Sequence, residues 1–207
     1  TISLSLKDIT EEILFTKIYS YSNRKSIKKA LRNKCEIITS NDKSIWDNFI
    51  KLYEKNLKNN NAHKKYFFTK EYYKIIRKSL DKNYIIFSCK YENEIISSII
   101  ILYSDYYAHC HLIGSNELAK KLSANNLLHH EVVKWCKLKK INFLHFGGGF
   151  TNEESDAVYK FKKSFSDETN DFYVGERIIN KEKYNYLCKI SSKNKELNNN
   201  KLFKYRD

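Results

Sequence analysis

Three consecutive runs decide the fold: Tyr84-Ile-Ile-Phe-Ser-Cys-Lys-Tyr91, Glu94-Ile-Ile-Ser-Ser-Ile-Ile-Ile-Leu-Tyr103 and Tyr106-Tyr-Ala-His-Cys-His-Leu-Ile113. Each is dense in β-branched and aromatic residues and reads as a strand. Only Glu92-Asn93 and Ser104-Asp105 separate them, so the connections must be tight and the strands form an antiparallel meander. Towards the C-terminus the period lengthens. Leu127, Leu128, Val132, Val133, Trp135 and Cys136 predict a helix from about 125 to 139. A strand is expected over 141–146, a short helix over 155–165 and a further strand over 172–179. Towards the N-terminus, Thr69 caps a helix that runs to about Leu80. Ile45, Trp46, Phe49, Ile50, Leu52 and Tyr53 mark an amphipathic helix over 45–58, with Asn41-Asp42 as turn and cap. Residues 2–6 and 35–39 read as strands, and 8–33 carries helical periodicity. The order predicts an α+β (mixed α/β) fold: a central mixed sheet, an antiparallel meander followed by a βαβ unit, and helices on both faces. The reading divides the chain into a lead-in over 1–40, a main domain over 41–190 and a polar tail over 191–207.

The 207 residues include 42% hydrophobic and 14% aromatic side chains, enough to bury a core and to exclude global disorder. Lysine supplies most of a formal net charge of +14. A solvated lysine face accounts for part of it, and an anionic partner such as a nucleotide, a phosphorylated lipid or tRNA for the rest. The five cysteines, Cys35, Cys89, Cys110, Cys136 and Cys188, form no CxxC pair and sit in apolar runs. They read as reduced, buried thiols, which points to the cytoplasm. No run is long and apolar enough for a transmembrane helix. The opening Thr1-Ile-Ser-Leu already alternates, as in a fragment of a longer protein.

Proline is absent and only five residues are glycine: Gly114, Gly147, Gly148, Gly149 and Gly175. Four of them fall between 114 and 149, which localises the candidate site. Gly114-Ser115-Asn116 leads through Lys121 to Ser123-Ala-Asn125-Asn126 at a helix start. Free N–H groups and the helix dipole there suit a pyrophosphate, although an ordinary capped helix with basic flanks has the same pattern. His145 stands near the end of a strand that runs into Gly147-Gly148-Gly149. A neutral imidazole there could accept a proton from an amine, and the glycines admit a ligand close to the backbone. The alternative is a structural histidine beside a flexible turn. On the next helix, Lys162 is placed to meet negative charge and Tyr159 to donate a proton to a leaving group, or both belong to a solvated face. The basic run around Arg24 could hold phosphate or be solvated. Adjacent His129 and His130 diverge on a helix, so no metal site is expected.

Four segments together resemble the Fem-like branch of the GNAT acyltransferases. They are Ser22-Asn-Arg-Lys-Ser-Ile-Lys-Lys-Ala30; His111-Leu-Ile-Gly-Ser-Asn116 with Leu122-Ser-Ala-Asn-Asn-Leu-Leu128; His145-Phe-Gly-Gly-Gly149; and Tyr159-Lys-Phe-Lys-Lys-Ser-Phe165 with Phe172-Tyr-Val-Gly175. Ala124 stands where that branch usually has proline, Ser164 where glycine is common, and the usual GNAT pyrophosphate motif is missing. The resemblance implies direct transfer of an acyl group to an amine without a covalent enzyme intermediate. It implies coenzyme A thioester, or alternatively aminoacyl-tRNA, as donor, and an amine-bearing small molecule or envelope precursor as acceptor. Donor contacts fall on Gly114, Ser115, Asn116, Lys121, Ser123, Asn125 and Asn126. Substrate contacts fall on Arg24, Gly147, Gly148 and Gly149, and proton transfer and charge stabilisation on His145, Tyr159 and Lys162. A non-enzymatic basic module that binds RNA is the competing class.

Overall fold

The computed structural model describes residues 1–151, 153–175 and 177–192. Most of the expected tail over 191–207 lies outside them. Residues Thr1–Asn170 form one compact unit and Asp171 onward a second.

The first unit is built on one six-stranded sheet. The meander is β3 (Tyr84–Tyr91), β4 (Glu94–Tyr103) and β5 (Tyr107–Ser115), all antiparallel. Its first turn places Glu92 at φ 47° and Asn93 at φ 69°. Two successive left-handed residues give the turn twist that matches twisted strands. β5 is followed by helices α5 (Glu117–Leu122) and α6 (Ala124–Leu138), and then by β6 (Phe143–Gly147), parallel to β5. The sheet is thus mixed, with the meander and the βαβ unit in the expected order.

Both edge strands come from the first 40 residues. β1 (Ile2–Ser5) pairs antiparallel with β6, and β2 (Glu36–Thr39) with β3. The outer edge of β1 is covered. Ser3 N–H donates to the Glu168 carbonyl at 3.1 Å, and Ser5 N–H to the Glu168 carboxylate at 2.9 and 3.0 Å. Covering an edge in this way removes a template for unwanted pairing.

Helices cover both faces. α2 (Tyr21–Arg32) and α6 lie on one side, where Ile27, Ala30, Leu127, Leu128, Val132, Val133 and Cys136 pack with Leu4, Ile99, Ile101, Leu144 and Phe146. α3 (Lys43–Asn59) and α4 (Lys70–Leu80) lie on the other, with Trp46, Phe49, Tyr53, Tyr73 and Ile76 against Tyr84, Ile86 and Ile100. Alternation along β4 sends Ile99 and Ile101 to one core and Ile100 to the other. The helical stretch expected over 8–33 is interrupted. Glu11–Ile13 runs into a π-helical turn over Leu14–Ile18, and Ser20 then caps α2.

Several local expectations change. Gly114 and Ser115 are not loop residues but the end of β5. Asp42 sits at the start of α3 without capping it through its side chain, whereas Asn41 donates to the Tyr84 carbonyl and accepts from Ile86 N–H. No strand forms over the described residues of 172–179. A lone strand there has no ladder partner, and propensity alone does not sustain one. In the second unit, α8 (Lys181–Ser192) begins after Asn180, whose side chain accepts from Lys183 N–H at 2.8 Å. No described helix is long and apolar enough to cross a membrane.

Gly114 shows why this chain retains glycine inside a strand. A Cβ there would lie 2.5 Å from Tyr53 N, 2.7 Å from Tyr53 Cα and 2.8 Å from Leu52 C, all backbone of α3. The missing side chain is what lets α3 lie against β5. Overpacking of this kind costs about 1–3 kcal/mol, and helix backbone cannot swing aside as a side chain can. Gly114→Ala is therefore expected to lower stability by about 3 kcal/mol, read from the urea midpoint at unchanged slope.

Candidate active site

β5 and β6 run parallel for only three rungs: Tyr107 with Phe143, Ala108 with Leu144, and His109 with His145. Beyond His109 and His145 the two strands part. The parting coincides with a bulge on β5. Ile100 pairs with Leu112 and Ile101 with Cys110, so His111 has no opposite number on β4. A bulge bends its strand and re-aims the side chains beside it. Leu112 accordingly faces the α3 and α4 side, as does His111, while Cys110 and Ile113 face α6. From Cys110 to Ser115 the edge of β5 towards β6 lacks a ladder partner among the described residues.

Histidines gather at the point of parting. His109 Nδ1 and His145 Nδ1 are 2.9 Å apart, with the rings stacked at 5.0 Å between centroids. One Nδ1 must carry a proton and the other accept. His111 lies 6.0 Å from His109 between ring centroids, and its Nε2 is 2.7 Å from the hydroxyl of Tyr72 on α4. Burial, then the charges of His145 and His111, push His109 down to about 4. Burial and then the Lys162 cation lower His145. Both rings are neutral at neutral pH.

The lysine comes from α7 (Ala157–Lys163). Its Nζ donates to the Gly148 carbonyl at 2.6 Å, and burial lowers its pKa. Gly147 takes φ +89°, a left-handed region that only glycine enters without strain, and a Cβ there would stand 3.1 Å from Lys162 Nζ. Gly149 leaves room for Asp156, whose carboxylate accepts from Phe150, Thr151 and Tyr159 N–H groups and so ties the glycine loop to the start of α7. These hydrogen bonds hold the Asp156 carboxyl below its ordinary range. Cys110 on β5 is close enough to Lys162 for each to act on the other's ionisation. Burial pushes its thiol up to about 12, offset only in part by Lys162, so it is a thiol and not a thiolate.

The structure therefore brings together His145, Lys162, Gly147, Gly148 and Gly149. Tyr159 lies on α7, half-buried against the core, with Lys163 above its ring at 6.0 Å. The other expected residues are engaged in the scaffold. Asn125 accepts from the Ser97 hydroxyl at 2.6 Å and donates to Ser115 at 3.3 Å. Asn126 donates to Asn23 at 2.8 Å, and Asn23 donates to the Ser164 carbonyl at 3.2 Å. Asn116 caps α5 through Ala119 N–H. Arg24 donates to the carbonyls of Phe15 and Thr16 at 3.0 and 3.1 Å. Lys121 is exposed, and Ser123 adopts φ 59° between α5 and α6 without a side-chain bond to the start of α6. That first turn is left with N–H groups that no side chain caps. His109, His111 and Tyr72 were missed by sequence reasoning. The signal for the two histidines was alternation: His109 and His111 are two apart on a strand that a βαβ unit places beside His145.

One buried imidazole lies behind the site. His129 Nδ1 is 2.7 Å from the Asn125 carbonyl, and its ring packs among Phe146, Phe161 and Phe165. Burial drives it down to about 4 from 6.5. A base whose folded pKa is depressed stabilises the fold above its unfolded pKa and stops doing so as pH falls. Thermal stability is therefore expected to decline between about pH 6.5 and pH 4, and His129→Phe, which cannot ionise, should flatten that decline in a Tm-against-pH series.

Compared with known families, residues 20–162 match the model described as "Acetyltransferase (GNAT) domain". No curated protein matches the chain significantly. Among solved structures the chain is similar to FemX, with 12% identity, TM-score 0.66, and 79% of this chain and 57% of that chain covered. It is also similar to the C-terminal domain of a putative lysylphosphatidylglycerol synthetase from Agrobacterium fabrum, with 13% identity, TM-score 0.59, and 79% and 55% covered. An aminoglycoside acetyltransferase from an uncultured soil metagenomic sample, crystallised with trehalose, is similar at 16% identity and TM-score 0.51, with 71% of this chain and 99% of that chain covered. The chain thus spans a little over half the length of the first two.

Proposed function

The chain belongs to the acetyltransferase (GNAT) domain family, and on that premise we propose that it is an N-acyltransferase moving an acyl group from acyl-coenzyme A directly to an amine. The acceptor in this reading is an amino sugar or a cell-envelope precursor, and the reaction takes place in the cytoplasm. The observation that carries it is the parting of β5 from β6, with neutral imidazoles at its apex and a half-buried lysine beside it.

The residues present fit such a donor. The uncapped first turn of α6, with Lys121 and Ser123 before it, offers N–H groups and positive charge to a pyrophosphate. The unpaired edge of β5 from Cys110 to Ser115 offers backbone groups to an amide-bearing chain. When bound, the donor supplies an activated acyl carbon. His145 is the base. In the tautomer that donates from Nδ1 to His109, its Nε2 keeps a lone pair, and a neutral ring takes the proton of the incoming amine. His109 holds that tautomer and is a positioning residue. Lys162 faces the oxygen on which negative charge grows, held in place by Gly148. Tyr159 supplies a proton to the departing thiolate. The carbon–nitrogen bond forms as the carbon–sulfur bond breaks. A protonated Cys110 fits transfer with no acyl-enzyme.

A second reading keeps the fold and takes aminoacyl-tRNA as donor. The net charge of +14 favours it. A thermal-shift titration with acetyl-coenzyme A separates the two: a rising Tm supports the first, and no shift at millimolar ligand supports the second.

His145→Ala is expected to lower kcat/KM by a factor of about 10² or more, since a positioned base contributes on that order. Lys162→Met removes the cation that depresses His145. The acidic limb of the pH–rate profile should then move to higher pH, towards 6.5, together with a lower maximum. An unmoved limb would remove His145 from the role of base.

A further inference from the structure

A cleft of about 490 Å³ opens over the sheet where α3 and α4 leave it uncovered. Its floor is the paired part of β5 and β6: Tyr107 with Phe143 on one rung, His109 with His145 two residues further along. Two residues along a strand return to the same face, about 7 Å away. Tyr107 and Phe143 stack on each other at 5.6 Å and 16°, yet remain 61% and 41% exposed, so apolar ring surface away from the stacked faces stays open to solvent. Ser3, Asn83, Ser104 and Asn170 stand at the walls. The Asn83 amide donates to the Tyr103 carbonyl and the Asn170 amide to Ser3, so their amide oxygens and the Ser104 hydroxyl face no partner among the described residues. Among the described residues none of the lining is Asp, Glu, Lys or Arg.

We propose that this cleft is the acceptor subsite and that it takes the amine as a substituent of a neutral sugar ring. The proposal rests on the acyl-transfer reading for its direction, and on the cleft for its chemistry. A bare aromatic pair flanked by uncharged amides and hydroxyls suits a ring with apolar C–H faces and a hydroxyl rim. The lining side chains themselves give a polycation no carboxylate and a phosphate no cation: Lys162, whose charge acts on His109 and His145, is held by the Gly148 carbonyl, and the Glu168 carboxylate by Ser3 and Ser5. A ring seated on the Tyr107–Phe143 rung reaches along the strand with an amino substituent and one hydrogen bond of about 2.9 Å, the span to the imidazole rung. The ring is thereby positioned by one rung of the sheet and the nitrogen is delivered to His145 on the next.

Saturation-transfer NMR of the whole chain with methyl glucosaminide, cyclohexylamine and spermidine tests this. The ring protons of the sugar should receive saturation, and the other two amines should bind at least tenfold more weakly. Tyr107→Ala and Phe143→Ala should each weaken the sugar about tenfold, while Tyr107→Phe, which keeps the ring, should not. Both positions are surface-exposed, and circular dichroism confirms that the variants are folded. Equal binding of the sugar by the two alanine variants, or preference for spermidine, overturns the proposal. Because binding is read without a donor, the two readings fail separately. Ring-dependent binding with no transfer from acetyl-coenzyme A leaves the subsite standing and removes the donor. Transfer to ethanolamine with no sugar binding does the reverse.

Discussion

The fold depends on two parallel strands that cannot stay together. β5 and β6 share three rungs, and then a bulge at His111 turns β5 aside while Gly147, at φ +89°, turns the chain after β6. A sheet normally satisfies its backbone by continuing the ladder, and a break leaves donors and acceptors in need of partners. Here the break is placed at the carboxyl ends of parallel strands, in a sheet that carries helices on both faces. The opening survives because the rest of the sheet is heavily packed. Ile99, Ile100 and Ile101 on the central strand are each about 1% exposed or less. Gly114 belongs to the same arrangement, since its bare Cα lets α3 support β5 from the other side just beyond the bulge.

Charge at the opening follows from burial more than from ion pairing. Burial is the largest cause of every histidine shift there, and Lys162 adds to the effect on His109, His129 and His145. A cation near imidazoles keeps them unprotonated, and neutral imidazole is the form that accepts a proton. The same burial keeps the Cys110 thiol protonated. The opening therefore holds neutral imidazoles and no thiolate. Lys162 is itself restrained by the Gly148 carbonyl, so α7 and the glycine loop act as one piece.

Much of the architecture was legible in the sequence. The meander is written in three apolar runs with two tight breaks, and α3 and α6 in the spacing of their buried residues. The strand expected over 172–179 shows the limit of such reading. Phe172, Tyr173, Val174 and Ile179 have the composition of a strand but are 62% exposed or more, and among the described residues no strand pairs with them. Within the site, His145, Lys162 and the triple glycine were recognisable from type and position. Asn125, Asn126 and Arg24 have the chemistry of ligand contacts, yet they bond to Ser97, Asn23 and the carbonyls of the π-helical turn. A polar side chain near a site looks the same in sequence whether it faces a ligand or the scaffold.

By itself, the sequence determined the type of most elements, the antiparallel meander and where the glycines gather, because hydrophobic period, tight turns and scarce glycine act over a few residues. Only the tertiary structure decided that β1 and β2 close opposite edges, that Gly114 serves α3, and that Tyr72 on α4 meets His111 across the sheet. It also decided that His109 stacks on His145. Those facts join residues 36 to more than 140 positions apart, and such pairings are set by the register of the sheet and the seating of its helices, which no local stretch encodes.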